Sequence, residues 1–376
     1  MKILHVIDLI SQARAGGSAK VPFHLAREQA KQGNSVTIYA SDWDAKDQGP
    51  PEGVELVKFK TLVNIYGYRI TPGLLTADVK DYDIIHLHNF RTFLNVCVSW
   101  LARRADIPYV MQAHGSMLIA RPKKVFKQMT DIAWNKNIMR RADRLIAVSD
   151  TEVKQYQDMG SIREKIVTVP NGIDQEEFRN LPPRGEFRKQ FNIKPDQKIV
   201  LYLGRIHEIK GLELLARAFA RLGEPQITLV IAGYDDGYKN KFTALTEKLG
   251  IAGRTLYTGA VYGLDKLRLY TDADVYVLPS QYEIFGITVL EALACGTPVV
   301  VTDRCGLKDI VRNEYGVSVP YDEEKLAEAM LNIIKDDKKE LFRDQRKNLA
   351  QQYSWAKIAE QMNEVYQAVL LQRGNQ

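Results

Sequence analysis

Short apolar runs alternate with amphipathic stretches along nearly all of this chain of 376 residues. A run of that kind reads as a buried strand and the stretch after it as a helix, so the pattern dictates βαβ units and parallel sheets. Residues 2–8 (KILHVID), 36–41, 54–59, 84–89, 109–114, 144–149 and 166–170 read as the strands of a first set. A helix after the first strand carries Phe23, Leu25, Ala26 and Ala30 to a stop at Gly33, with Pro22 in its first turn. Ser149, Asp150 and Glu152 begin another helix. The alternation breaks at PNGIDQEEF (170–178), and residues 179–195, with Pro182, Pro183, Gly185, Pro195 and many charges, read as a linker. A second set follows at 198–204, 227–233, 254–259, 274–280 and 298–303. The expectation is an α/β protein with two Rossmann-like, doubly wound parallel-sheet domains, 1–172 and 173–353, facing a cleft. Ligands of such sheets bind at the carboxyl ends of the strands. The remaining residues, 354–376, form a last helix capped by Ser354. Trp355, Ile358, Ala359, Met362, Val365, Tyr366 and Val369 lie on one of its faces, and it is expected to pack back on the first domain.

Composition narrows the setting. Hydrophobic content of 45% with 26% charged residues is that of a folded globular chain. No run reaches the roughly 18 apolar residues of a spanning helix. MKILHVIDLI is too short an apolar run for a signal peptide and lacks a small-residue cleavage site. A cytoplasmic protein is expected. Three cysteines, Cys97, Cys295 and Cys305, are odd in number and show no metal spacing, which argues against a disulfide framework. A net charge of +6 favours anionic partners, and no nucleic-acid motif accompanies it.

The densest stretch is 279–298, PSQYEIFGITVLEALACGTP. A buried strand leads into it, a helix begins near Gly286, and Gly296, Thr297 and Pro298 end that helix. Glu283 stands in the loop before the helix and Glu291 eight residues later. A strand, a glycine loop and a helix N-terminus make an anion site. With an acid at its mouth and another further along, it suits a ligand with a negative centre and hydroxyl-bearing ends, such as a sugar nucleotide. An ordinary βα unit with two solvated glutamates has the same pattern.

Other polar clusters fall at strand ends. In GRIHEIKG, Arg205 and Lys210 share one loop before a helix, an arrangement suited to a diphosphate; a solvated basic loop is the alternative. His114 ends the strand YVMQAH and is either a ligand contact or a satisfied structural histidine. Gly16 and Gly17, in a loop after the first strand, let the backbone approach a phosphate, although G-x-G-x-x-G is absent. His86 and His88 share one strand face, so a metal site is conceivable, but no third ligand is evident. The pairs Asp81/Asp83 and Asp272/Asp274 stand at the amino ends of strands and read as capping and solvation. Asp42/Asp44 lies at the correct end but in a polar loop. Asn171–Gly172 reads as a turn where the domains meet. Tyr262 and Asp235 follow strands near where a nucleotide base belongs, without a basis for ranking them.

Together these pieces resemble glycosyltransferase family 4, the large retaining group with the GT-B fold, over nearly the whole chain. The strongest element is Glu283 with Glu291 in EIFGITVLEALACGTPVV. GRIHEIKG, VPNGID, ADRLIAVS and the Gly16–Gly17 loop match in order and spacing. The resemblance implies that Arg205 and Lys210 bind the donor diphosphate and stabilise the leaving group. It implies that Glu291 accepts hydrogen bonds from the ribose and Glu283 from the transferred sugar, with Ile284, Phe285, Gly286 and Ile287 along the donor. Gly16 and Gly17 would lie against the diphosphate, and His114 would contact the sugar and assist transfer. It implies no metal and no cofactor besides the nucleotide-diphospho-sugar donor. One departure stands out: where the family often has H-x-H-G, this chain has Gln112-Ala113-His114-Gly115.

The expected reaction is retaining hexosyl transfer to a glycan or lipid-linked glycan, in surface-polysaccharide or glycoconjugate assembly. A basic, apolar-interleaved segment at 121–144, with eight Arg or Lys and two Asp, reads either as a helix resting on an anionic membrane or as a core helix with a solvated basic face. An epimerase or hydrolase on the same scaffold, or a non-catalytic sugar-nucleotide-binding protein, are the competing functions.

Overall fold

The computed structural model describes residues 1–9, 16–43, 49–65, 67–117, 124–311 and 315–374. They form two compact units, Met1–Gly172 with Trp355–Gln376, and Ile173–Ser354.

The first unit is built on strands β1 (Lys2–Ile7), β2 (Ser35–Ser41) and β3 (Val54–Phe59), a small antiparallel pair β4 (Val63–Ile65) and β5 (Tyr68–Ile70), then β6 (Ile84–His88), β7 (Tyr109–Gln112), β8 (Arg144–Ala147) and β9 (Ile166–Thr168). Seven of them make one parallel sheet in the order β3-β2-β1-β6-β7-β8-β9. Its helices are α1 (Gly16–Lys31), α2 (Phe93–Ala105), α3 (Lys124–Thr130), α4 (Lys136–Arg141), α5 (Asp150–Asp158) and the C-terminal α13 (Trp355–Gly374). Side chains of a strand alternate between faces, and both faces are covered, so both are apolar. Leu4, Val6, Ile85, Leu87 and Met111 pack on one side with Leu94, Val98 and Tyr156. Ile3, Ile7, Ile84, Val110 and Ile146 pack on the other with Leu25, Trp355, Ile358 and Met362. Each such side chain contributes roughly 1.5–3 kcal/mol on full burial, which holds α13 against α1.

The second unit has β10 (Lys198–Leu203), β11 (Ile227–Ala232), β12 (Thr255–Gly259), β13 (Val275–Leu278), β14 (Val299–Thr302) and β15 (Gly316–Val319), in the order β12-β11-β10-β13-β14-β15. All neighbours are parallel. Its helices are α6 (Glu186–Gln190), α7 (Leu212–Arg221), α8 (Lys239–Lys248), α9 (Gly263–Asp272), α10 (Ile287–Ala294), α11 (Glu323–Lys335) and α12 (Arg343–Gln351). The fold is thus two doubly wound α/β sheets, each reversing direction of winding at its centre, between β1 and β6 and between β10 and β13.

Several local expectations are corrected. Gly16 and Gly17 are the first two residues of α1, so Pro22 stands in the second turn. The strands of the hairpin β4–β5 have 3 residues each and the edge strand β15 has 4, too short for an apolar run to register in the sequence. Within segment 121–144 the described residues 124–141 are helical throughout, with α3 running through a π-helical turn, Asp131–Asn135, into α4, and Arg144 opens β8 rather than extending the helix.

Candidate active site

β10 and β13 are neighbours at the reversal of the second sheet, so the loops after them leave the same edge side by side. The first loop carries Arg205, a 3-10 turn Glu208–Lys210, and Gly211 at φ 70° before α7. A Cβ on Gly211 would fall 1.8 Å from the Pro279 carbonyl oxygen, a space only glycine leaves open. Gln281 N–H also donates to the Ile209 carbonyl at 2.9 Å. This close seam presses Lys210 onto the second loop, where its Nζ meets Glu283 Oε2 at 2.5 Å, both side chains about 15% exposed (15% and 16%). Glu283 is fixed through its backbone: its N–H donates to Arg304 and its carbonyl accepts from Gly306.

Gly286, at φ 90°, is the N-cap of α10. A Cβ there would stand 3.1 Å from Cys305 Sγ and from Leu278 Cδ2. Phe285 is buried and Ile284 and Ile287 are half-buried. The first turn of α10 opens here, and its leading N–H groups have no acceptor within the helix. Arg205, the second cation, is half-exposed and pairs with Asp236 at 2.9 Å. Both cations of the loop are therefore held by acids, and a diphosphate would exchange those partners for its own oxygens.

Glu291 points to partners that sequence reading missed. Lys266 of α9 lies 2.9 Å from its Oε1 and 2.9 Å from Glu177, and the Tyr270 hydroxyl donates to Oε2 at 3.0 Å. Burial opposes the Lys266 charge, but the two glutamates outweigh it and hold its pKa above the usual lysine range. No local motif marks Lys266; it arrives by helix packing. Asp235 is occupied in capping Gly237, Tyr238 and Lys239 N–H groups, and Tyr262 is two-thirds exposed at 67%. Asp272 and Asp274 are buried rather than solvated, bound to Arg188 and to backbone N–H groups. Asp83 accepts from Lys2 N–H, Asp81 is exposed, Asp42 accepts from Thr61 N–H, and Asp44 lies outside the described residues. A concavity of 610 Å³ lined by Phe178, Leu181, Ala294 and Ala350 sits at the far end of α10 and holds none of these site residues.

In the first unit, β7 ends at Gln112, so His114 stands two residues beyond the strand rather than closing it. Its φ of 52° is followed by 74° at Gly115, a left-handed pair that is uncommon outside glycine, although histidine tolerates it better than most residues. Surrounding bonds impose it. Glu152 accepts from Gly115 N–H at 2.6 Å and from Val148 N–H at 2.8 Å; Tyr156 accepts from Ala113 N–H; Ser116 links Ala113 to Phe90. Burial raises the Glu152 pKa to about 7 against those two N–H bonds. Ser149 precedes α5 as N-cap without a side-chain cap bond, and Glu152 reaches back instead.

The pair His86/His88 gains the third histidine that the sequence did not reveal. His5 of β1 lies opposite His86 in the sheet register, and ring nitrogens of His5, His86 and His88 lie within 4.8 Å of one another. Such a set could ligate a metal, but His5 Nδ1 and His88 Nε2 are already hydrogen-bonded to each other at 2.8 Å. Burial lowers the His5 pKa to about 4 and that of His114 to about 3; burial and then the neighbouring imidazoles hold His86 and His88 well below the ordinary range.

On α3 and the turn after it, Val125, Met129 and Ile132 are 69%, 65% and 78% exposed, while Ile138 and Met139 are buried. The two readings divide the segment: α3 and the turn after it expose an apolar stripe, while α4 packs Ile138 and Met139 into the core and leaves Lys136, Arg140 and Arg141 exposed.

Residues 183–353 match the family model for group 1 glycosyl transferases, and residues 15–177 that for glycosyltransferase family 4. A D-inositol 3-phosphate glycosyltransferase of Mycobacterium sp. (strain KMS) is 30% identical over 80% of this chain and 73% of its own. An uncharacterized glycosyltransferase of Methanocaldococcus jannaschii is 28% identical over the full length of both. Anabaena HepE, solved with UDP and glucose, superposes with a TM-score of 0.79 at 20% identity, covering 98% of this chain and all of its own. The chain is a glycosyltransferase with the GT-B fold. It belongs to the group 1, family 4 glycosyltransferases.

Proposed function

We propose that this enzyme moves a hexosyl group, with retention of configuration and without a divalent metal, from a nucleotide-diphospho-sugar to a glycan or lipid-linked glycan. The donor is a UDP-sugar or GDP-mannose, and the pathway is surface-polysaccharide or glycoconjugate assembly. The observation that carries the reading is the Lys210–Glu283 pair beside the N-terminus of α10, at the reversal of a parallel sheet. Lys210, Arg205 and the helix N–H groups take up the charge of the departing diphosphate. Glu283 receives hydroxyls of the sugar, Glu291 those of the ribose, and His114 contacts the sugar in transfer. Gly16 and Gly17 bring backbone to the diphosphate. The acceptor hydroxyl attacks the anomeric carbon on the face the nucleotide leaves, its proton passing to the departing phosphate. UDP and glucose in the Anabaena structure favour a uridine donor, and the name of the mycobacterial relative puts an inositol phosphate among the acceptors to try.

No described helix is long and apolar enough to cross a membrane. Val125, Met129 and Ile132 beside Lys136 and Arg140 suit a peripheral contact with the cytoplasmic face of an anionic bilayer.

A thermal-shift screen of UDP-, GDP- and ADP-sugars, followed by transfer assays with and without chelator, tests the function. The expected result is a raised Tm with one nucleotide series and acceptor-dependent turnover that chelator leaves unchanged. Donor consumption at the same rate without acceptor would make it a hydrolase or epimerase. Binding with neither reaction would make it a binding protein. Loss of turnover with chelator would reject metal independence.

A further inference from the structure

A chain of hydrogen bonds runs from the C-terminal helix to His114, and its direction can be worked out from one end. The Gln32 amide nitrogen donates to the Ala356 carbonyl at 2.9 Å. A backbone carbonyl can only accept, so Gln32 Oε1 must be the acceptor for Asn363 Nδ2 at 2.8 Å. Asn363 Oδ1 then accepts from Gln29 Nε2 at 3.1 Å. That leaves Gln29 Oε1 facing His5 Nε2 at 2.8 Å, and this nitrogen must carry a proton. His5, buried and uncharged, has only a lone pair at Nδ1, which takes the proton of His88 Nε2 at 2.8 Å. His88 Nδ1 is in turn a lone pair and takes the proton of His114 Nε2 at 2.9 Å. The last atom, His114 Nδ1, is a lone pair. It is buried and has no hydrogen-bond partner among the described residues.

We propose that this oriented chain is a positioning device: it locks His114 in the tautomer protonated at Nε2, so that Nδ1 is offered to the ligand as an acceptor. His88, His5, Gln29 and Asn363 then act on the reaction through His114. The partner of Nδ1 is a ligand O–H, a sugar hydroxyl, and not a phosphate or carboxylate oxygen, which has no proton to give. A metal bound through His5 Nδ1 and His88 Nε2 would have to displace this hydrogen bond, because ligation needs a lone pair on both nitrogens. The choice of ligand rests on the reading that His114 meets the transferred sugar; the tautomer does not, and it is measured without substrate.

Protein carrying ¹⁵N-histidine, free of ligand near neutral pH, gives the protonated nitrogen of each imidazole from long-range ¹H–¹⁵N correlation. His5, His88 and His114 are each expected to carry the proton on Nε2. An Nδ1–H form or an exchanging mixture at His114, or one equivalent of zinc in the purified protein, would overturn the proposal. His88→Gln keeps an acceptor toward His114 and a donor toward His5, whereas His88→Leu keeps neither. The expected outcome is a single His114 tautomer and near-normal kcat in the first. The second should show mixed tautomers and a kcat lower by roughly 10²-fold. Asn363→Leu breaks the chain at its half-buried end without touching an imidazole and should also mix the His114 tautomers. An unchanged single tautomer in both leucine variants would reject the device.

Discussion

Lys210 Nζ lies 2.5 Å from Glu283 Oε2, a cation from the loop after β10 closed on an acid from the loop after β13. The pair is mostly shielded, so each group costs free energy when its partner is removed. Lys210→Ala should slow turnover roughly 10²–10³-fold through loss of leaving-group stabilisation. Glu283→Gln releases Lys210 for the diphosphate while removing a sugar contact. It should bind the free nucleoside diphosphate about tenfold more tightly, some 1.4 kcal/mol, yet turn over more slowly. Calorimetric titration beside initial rates reads both; unchanged affinity in Glu283→Gln would mean that the lysine does not serve the phosphate.

Arg205 and Asp236 make the same kind of pair in a more exposed place, with side-chain exposures of 42% and 40%. Solvent screens it, so its contribution to stability is below about 1 kcal/mol. Arg205→Ala should keep its urea midpoint within error while losing roughly 10²–10³-fold in turnover. A variant that unfolds early, or one that turns over normally, contradicts the assignment.

Gly286 starts α10 in a left-handed conformation, with Cys305 Sγ and Leu278 Cδ2 3.1 Å from where a Cβ would stand. Gly286→Ala should cost about 1–2 kcal/mol from backbone strain alone, with weaker donor binding as the helix N-terminus shifts. Chemical denaturation measures the first and thermal shift with donor the second. Full stability in the alanine variant would show that the turn has another conformation open to it.

Acid should destabilise the first unit. His5 and His114, with pKa values of about 4 and about 3, and the lowered His86 and His88 stay neutral in the fold. The unfolded chain takes up those protons near pH 6.5, so stability falls as pH drops below that value. Glu152, raised to about 7, and Asp8, raised to about 6 by burial against the pull of Arg69, act the other way. Their protonated forms favour the fold at low pH, and that contribution is lost as pH rises through their folded values. Four imidazoles outweigh two carboxyls. The urea midpoint should therefore decline steadily from about pH 6.5 to about pH 4.5; a flat profile would mean that the imidazoles take up protons within the fold.

The exposed stripe Val125, Met129 and Ile132 gives the membrane reading a direct test. Co-sedimentation with anionic vesicles should be salt-sensitive and should drop several-fold in Met129→Glu with Ile132→Glu. Equal binding by the double variant would move the contact elsewhere, and no binding by the parent would remove it.

Both sheets were legible in the sequence because a strand buried on both faces must be a continuous apolar run. Val54–Phe59 emerges with the bounds its residues suggest, Ser35–Ser41 is longer by one residue, and the others are trimmed by one to three residues. β4, β5 and β15 were not legible, since short or half-exposed strands carry no such run. The helix start at Gly286, with Glu283 and Glu291 about it, was readable because glycine, acid and apolar spacing are local signals. The bend of the chain at His114 was not, because the bonds that hold it come from Glu152 and Tyr156 on another element.

The order of residues by itself determined where strands and helices lie, how they divide into two wound sheets, and which loops carry charge, because periodicity and turn chemistry act over a few residues. Only the tertiary structure decided partners. It set His5 against His86 through strand register, Lys266 against Glu291 through helix packing, and Ala356 at the head of a chain that ends on His114. Those pairings depend on which strands adjoin and which helix covers them, and neither leaves a mark in the spacing of the residues concerned.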